Sequence, residues 1–296
     1  MEIQYLRYFK KIAELEHMTR ASEALQVAQP TLSKTISFLE KAFQVKVFDR
    51  IGKNIILNEN GRILLKYTNQ ILNSLEDAKT QISDRNKKQD STVTISMHAA
   101  SKLLPSIIYD FKKKYPDIKF AIVLHEDKSN EKMNCDLIID STRDKVIAKN
   151  VIQLLEEEIL LAVPKEHPLS HKKSITLEEV ASEAFISLQK GKGLSDITTA
   201  FCLSAGFEPN IILESDDPAT IRGLIGIGLG VAFLPAITWQ GVADANMKLL
   251  SISNINCKRY INVSWKEGRY FSESAKLFRD YLVDFFSKLL QNNYIS

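Results

Sequence analysis

The chain has 296 residues, 45% of them hydrophobic and 25% charged, with a formal net charge of +3. That length suits about two domains of ordinary size, and the apolar fraction supplies a core for each. No cationic segment followed by an apolar run opens the chain, so no export signal is expected, and three widely spaced cysteines without a CxxC read as reduced thiols, not as a disulfide framework.

In chain order, Leu6, Phe9 and Ala13 give a first helix an apolar face. Residues 19–43 then read as a short helix, a three-residue turn and a longer helix. Thr19 is the expected N-cap of the short helix. Gln26, Val27 and Ala28 form the turn, and Pro30 falls in the first turn of the longer helix, where a missing N–H is tolerated. Leu32, Ile36, Leu39 and Phe43 recur on one narrow stripe that is expected to be buried. Pro30, Ser33, Lys34, Ser37 and Lys41 lie opposite, a face of small hydroxyls and two cations without a carboxylate. This is helix-turn-helix geometry, suited to phosphates and base edges; an ordinary helical hairpin in a core has the same spacing.

Apolar runs at 45–48 and 55–57 flank Arg50, Ile51, Gly52, Lys53 and Asn54, which predicts two short strands around a basic glycine turn, a wing. With LRYF at 6–9, ASEALQVAQPTLSKTISFLE from Ala21 to Glu40 and FDR at 48–50, the chain resembles the LysR-type transcriptional regulators. The resemblance implies a recognition helix in the major groove of a DNA operator. Gln29, Pro30, Thr31, Ser33, Lys34 and Ser37 stand at its contact positions, joined by Arg50 and Lys53 from the wing. Ala28 replaces a frequent serine of the family and Lys34 its usual arginine. A lysine lacks the bidentate fork that suits guanine, so base readout there is expected to be softer.

Asn58 is placed to cap a long helix over 59–85. Within it Leu64, Ile71 and Ala78 alternate with Thr68, Leu75 and Ile82 as a heptad seam on a polar rod. The seam can pack on its own domain; the resemblance implies instead a linker helix pairing with the same helix of a second subunit, in a homodimer or homotetramer that matches palindromic DNA. The polar, aperiodic stretch 84–92 reads as a hinge. Residues 1–90 carry a net +4 and residues 91–296 a net −1, an excess on the DNA-binding end too modest to argue nucleic acid by itself.

Beyond the hinge, strand-like runs at 93–97, 120–124, 137–139, 159–163, 185–188, 210–214, 231–234 and 261–265 are interspersed with helical patterns. The helices are expected at 102–115, 177–182, 195–205, 218–226 behind Asp217 as cap, and 272–290. This predicts an α/β domain with a parallel or mixed sheet. LLPSIIYDFKKKYPD from Leu103, HPL at 167–169, AGFEP at 205–209 and GIGLGVAFLP at 226–235 resemble the family's effector domain, built as two lobes in the manner of periplasmic binding proteins. The expected fold is therefore α/β multidomain. It comprises a winged helix-turn-helix over 1–58, a linker (dimerisation) helix and hinge over 59–90, and a two-lobed effector-binding domain over 91–296. Lobe I takes about 91–163 and 264–296, and lobe II about 164–263. Between Glu126 and Asp136 the chain is shorter than the family's usual helix there, which puts the usual pairing of effector domains in doubt.

Ligands of such domains sit outside strand carboxyl ends, near helix N-termini. That singles out His98, Ala99, Ala100 and Ser101 after the first strand, Gln189 to Ser195 including Gly193, and Phe233 beyond the glycine turn; the resemblance supports Ser101 and Gly193. His98, Lys190 and Lys192 favour an anionic ligand such as a small carboxylate, with an apolar or vestigial pocket as the alternative. GIGLG and GKG lack the context of nucleotide-binding loops, and His167 and His171 have no metal-ligand partners in sequence, so neither enzyme chemistry, a cofactor nor a metal is expected. The uncharged run 223–243 contains five glycines and Pro235 and reads as a helix end, a turn and a strand, not a membrane span. Peroxide-sensing members of the family have a cysteine matching Cys202 and another nine residues earlier, where Gly193 stands; Cys202 is thus expected to be structural. The expectation is a cytoplasmic, sequence-specific transcription regulator responding to a small molecule, the alternative being a redox-responsive or vestigial effector domain.

Overall fold

The computed structural model describes residues 2–51, 54–85, 92–124, 135–191, 193–239 and 246–294. They divide into two compact units, Met1–Lys87 with Gly268–Tyr270, and Lys88–Glu267 with Phe271–Ser296.

The first unit opens with α1 (Ile3–Leu15), α2 (Met18–Leu25) and α3 (Gln29–Phe43). Leu6, Phe9, Ile12, Ala21, Leu32 and Leu39 form their shared core. Each helix stops at a polar residue in the left-handed region, Glu16, Gln26 and Gln44 at φ 45°, 54° and 57°, whose N–H closes the last turn on a carbonyl behind it. The N-cap of α2 is His17, not Thr19, which is already helical; His17 is extended and its Nδ1 accepts from Arg20 N at 3.3 Å. On α3, Leu32 and Leu39 are buried as expected, but Phe43 is 47% exposed. The last turn of α3 runs past the core, which Val47 and Phe48 close instead. Thr35, outside the expected stripe, is buried with its hydroxyl donating to Thr31 O at 3.0 Å.

β1 (Phe48–Ile51) and β2 (Asn54–Leu57) pair antiparallel. The first strand therefore starts where 45–48 was expected to end, because Val47 and Phe48 turn inward and Phe48 meets Phe9 edge-on at 5.7 Å. Asn58 caps α4 (Glu59–Arg85), its Oδ1 accepting from Gly61 N at 3.0 Å. The seam on α4 splits. Leu64 packs on the helical core and Thr68 is fully buried, whereas Ile71 is 42% and Ile82 60% exposed; Leu72, outside the expected seam, joins the core. A straight helix drifts about 20° per heptad, and α1 covers one flank of this one.

In the second unit the first lobe is a sheet of order β4-β3-β5-β12-β6, made of β3 (Thr92–Met97), β4 (Lys119–Leu124), β5 (Leu137–Thr142), β6 (Val151–Pro164) and β12 (Lys258–Ser264). β3 runs parallel to both neighbours and β12 antiparallel to both of its own, so the sheet is mixed. Alternate residues Val93, Ile95, Met97, Leu137, Ile139, Ile261 and Val263 share a core with Phe111 of α5 (Leu104–Lys114) and Phe278 of α8 (Glu273–Tyr294). Those two rings meet edge-on at 5.0 Å.

β6 has 14 residues, far more than the expected 159–163. Its first half pairs with β12 and its second half with β10 (Ala232–Pro235) and β11 (Met247–Ile252). One continuous strand thus carries the chain between lobes near Glu158 and Ile159, and β12 belongs to the first lobe, whereas the sequence assigned residues up to 263 to the second. β11 was not foreseen: its paired apolar residues Leu249 and Leu250 break strict alternation. The second lobe adds β7 (Ser174–Ile175), the parallel pair β8 (Ala184–Leu188) and β9 (Asn210–Ser215), α6 (Gly193–Ser204) and α7 (Pro218–Gly226). The helix expected at 177–182 is a single 3-10 turn, Leu177–Val180. Among the described residues no helix is long and apolar enough to cross a membrane.

Candidate nucleic-acid interface and ligand site

Gln29, Pro30, Thr31, Ser33, Lys34, Ser37 and Lys41 are all exposed along α3. The helix begins without a side-chain cap, Ala28 being unable to supply one; Pro30 has no N–H and Thr31 N donates to Ala28 O at 2.9 Å, so the Gln29 N–H is the first-turn donor that helix geometry leaves for a phosphate. Behind this face a groove of about 340 Å³ separates α3 from the wing, lined by Ser33, Ser37, Glu40, Lys46 and Asp49. Two acids border a face that the helical spacing presented as purely cationic. Glu40 is committed to Lys46 Nζ at 2.7 Å and Val47 N at 3.2 Å, whereas Asp49 accepts from Asn58 Nδ2 at 3.3 Å and is exposed. Strand pairing brings Asp49 here, and helical periodicity carries no sign of it. Arg50 lies on β1, its side chain outside the described residues together with Gly52 and Lys53.

The ligand-site residues fall into two groups. His98 and Ser101, both partly exposed, follow β3; His98 N donates to Ile139 O at 2.8 Å and its Nε2 lies 2.9 Å from Ser96 Oγ. Ala99 and Ala100 between them are buried in the first-lobe core and form no wall. Ala100 sits in the left-handed region at φ 58°, a conformation that costs a residue bearing a Cβ about 1 kcal/mol. Ser141 and Thr142 end β5, the strand beside β3, with Met97 paired to Ile139. Gly193 opens α6 against that strand end: a Cβ on it would lie 2.9 Å from Ser141 Oγ. Sequence reading missed Ser141 and Thr142 because it ended the strand at Ile139, where the apolar run stops.

The structure does not gather the remaining candidates at this point. Gln189 is exposed, its N–H held by Ser215 O at 3.0 Å. Phe233 faces inward, stacked on Phe185 at 5.6 Å, because β10 is buried along its whole length. It does help line a cavity of about 20 Å³ with Ser187, Ser195, Thr198 and Trp239, room for about one water. Where β6 passes between lobes, a buried ion pair joins three segments. Glu157 accepts from Arg259 Nε at 2.8 Å, Thr238 Oγ1 at 2.9 Å, Thr238 N at 2.8 Å and Ile237 N at 3.0 Å, and Arg259 Nη2 reaches Thr238 Oγ1 at 2.8 Å. Every acceptor position of the carboxylate is used, the condition under which burying such a pair is tolerable. Arg143, just past β5, lies over the Phe201 ring at 5.7 Å and donates to Ser204 Oγ at 3.3 Å, pinning the far end of α6.

Cys202 and Cys257 are buried in the second-lobe core. Burial first, and then the neighbouring Cys257, pushes the Cys202 thiol up to about 12; burial first, and then the Glu158 carboxylate, pushes Cys257 up to about 12 against the pull of Arg143. Thiols so held stay protonated and are poor nucleophiles.

A three-helix core with an exposed third helix and a β-wing, followed by a two-lobed α/β unit, defines a DNA-binding regulator with a ligand-sensing module. Residues 3–62 match the profile of the bacterial regulatory helix-turn-helix proteins of the lysR family, and residues 87–287 that of the LysR substrate binding domain. The chain belongs to the LysR family of transcriptional regulators. It is 32% identical to the uncharacterized HTH-type transcriptional regulator YybE of Bacillus subtilis, over 97% of this chain and 100% of that one. It is also 31% identical to the transcriptional dual regulator GltC of Bacillus subtilis, over 98% and 99%. A solved structure of a full-length OxyR variant from Pseudomonas aeruginosa shares the fold, with a TM-score of 0.65 at 22% identity over 95% of this chain and 94% of that one.

Proposed function

We propose that this regulator reads its operator through Gln29, Pro30, Thr31, Ser33, Lys34 and Ser37, with Arg50 and Lys53 of the wing on the adjacent backbone. In this reading it acts in the cytoplasm as a homo-oligomer, without cofactor or catalytic activity, and its affinity or geometry on DNA responds to a small molecule bound among His98, Ser101, Ser141 and Gly193. The observation that carries the reading is the exposed outer face of α3, where Ser33, Lys34 and Ser37 stand on a packed core. Such a face approaches base edges closely, and Lys34 on it favours a point contact over bidentate readout. Ser33→Ala and Lys34→Ala are each expected to weaken operator binding by roughly 1–3 kcal/mol if they touch bases, measured by gel-shift titration at fixed salt on operator DNA recovered by genomic footprinting. Wild-type affinity in both variants would move the reading function off this helix.

A further inference from the structure

The winged unit carries an acid whose charge the contacts proposed for the operator do not use. Asp49 is the second residue of β1 and pairs with Ile56 across the wing. It is exposed, and it lines the groove of about 340 Å³ between α3 and the wing together with Ser33 and Ser37, two of the residues proposed to read DNA. Asn58 fixes it from the other side. The Asn58 amide is pinned at both ends: Oδ1 accepts from Gly61 N at 3.0 Å at the start of α4, and Nδ2 donates to Lys46 O at 3.1 Å and to Asp49 Oδ1 at 3.3 Å. That contact uses one of the roughly four acceptor sites of an ionised carboxylate. The other acid of the groove is neutralised: Glu40, its side chain 12% exposed, meets Lys46 Nζ at 2.7 Å and Val47 N at 3.2 Å. Asp49 is held by an uncharged amide instead, so its charge is presented to whatever enters the groove. A duplex brings two kinds of group there. Backbone phosphates are repelled by a fixed carboxylate, whereas the amino groups of adenine and cytosine are donors that suit it. Non-specific binding rests almost entirely on phosphate attraction and samples every register. An acid at this point therefore costs it more than it costs the operator complex, in which base contacts fix one register.

We infer that Asp49 is a specificity-determining residue, which keeps phosphates out of the groove between α3 and the wing and so lowers affinity for DNA other than the operator. The inference rests on the reading proposed for α3, and to residues that act by contact it adds one that acts by repulsion.

Gel-shift titration of the full chain on footprinted operator DNA and on a shuffled duplex of equal length, over a salt series, tests it. Asp49→Asn removes the charge and keeps an oxygen that can accept from Asn58. It is expected to bind the shuffled duplex about threefold to tenfold tighter, with a salt dependence steeper by up to about one unit of slope. The gain on the operator is smaller, so the ratio of the two affinities falls about threefold or more. Asp49→Glu keeps the charge and retains the wild-type ratio. Tighter binding cannot come from a misfolded variant, so the sign of the change separates repulsion from a structural role. Weaker binding of both duplexes by Asp49→Asn overturns the inference, and so does an unchanged ratio. A loss of discrimination in Asp49→Glu equal to that in Asp49→Asn overturns it as well, since the charge would then be irrelevant. A wild type with no preference for operator over shuffled duplex sinks the reading of α3 itself, a failure distinct from a preference that Asp49→Asn leaves untouched.

Discussion

At the residue scale, the tightest constraint in the first unit falls on Gly61. A Cβ there would lie 2.1 Å from Val47 O and 2.6 Å from Leu57 Cδ1, and the carbonyl is backbone that cannot swing away. Gly61→Ala is expected to destabilise the winged unit by about 1–3 kcal/mol, the usual range for overpacking, with operator affinity lost in parallel. Gly223 is the contrasting case. It lies inside α7 with nothing within 4 Å of an added Cβ, so Gly223→Ala should stabilise by up to about 1 kcal/mol through helix propensity alone. Denaturant unfolding of both variants checks the pair; a Gly61→Ala protein as stable as wild type would show that Val47 and α4 can separate at little cost. Single residues also explain the misplaced cap of α2. A serine or threonine is the usual sign of an N-cap, and His17 does the same work through Nδ1, an acceptor that sequence rules do not weigh.

At the scale of elements, α4 is the informative case. Its outward apolar residues, Ile71 and Ile82, are left exposed among the described residues, while Leu72 belongs to its own core. If α4 pairs subunits, Ile71→Asp with Ile82→Asp should give a folded monomer, since charges enter only the intersubunit contact. Leu72→Asp should instead unfold the winged unit. Light scattering with circular dichroism separates the two, and an intact oligomer in the double variant would place the main interface elsewhere. The contrast also marks what the sequence reveals. Periodicity located α3, α4 and α7 to within a residue or two, because helix faces and caps are local. It could not say which side of the α4 seam its own domain would take, since that depends on how α1 packs. Strand pairing is non-local in the same way. Asp49 beside Ser33, Ser141 against Gly193 and the crossing of β6 between lobes follow from partners distant in sequence, and no single-segment pattern records them.

For the whole molecule, the two-lobed unit is held by structures of different kinds: the continuous strand β6 crossing the junction with β12 paired along its first half, the saturated Glu157 and Arg259 pair beside them, and the two buried thiols in the core of the second lobe. The thiols give a prediction on overall stability. Both are raised to about 12 in the folded chain, against roughly 8.5 for an unfolded cysteine. A group whose folded value is raised binds its proton more tightly when folded, so its contribution is fully present below about pH 8.5 and is lost as pH climbs from there towards 12. Unfolding free energy should therefore fall above about pH 8.5 with a thiol contribution approaching about two protons in slope. Lysines and tyrosines titrate in the same window, so the decisive quantity is the difference between wild type and the Cys202→Ala, Cys257→Ala double variant. The variant starts less stable because it loses two packed side chains, but its stability should decline less steeply with pH between about 9 and 11. Parallel declines would mean that the thiols ionise in the folded lobe as readily as in water, and the structural role of Cys202 would then have to be given up in favour of a reactive one.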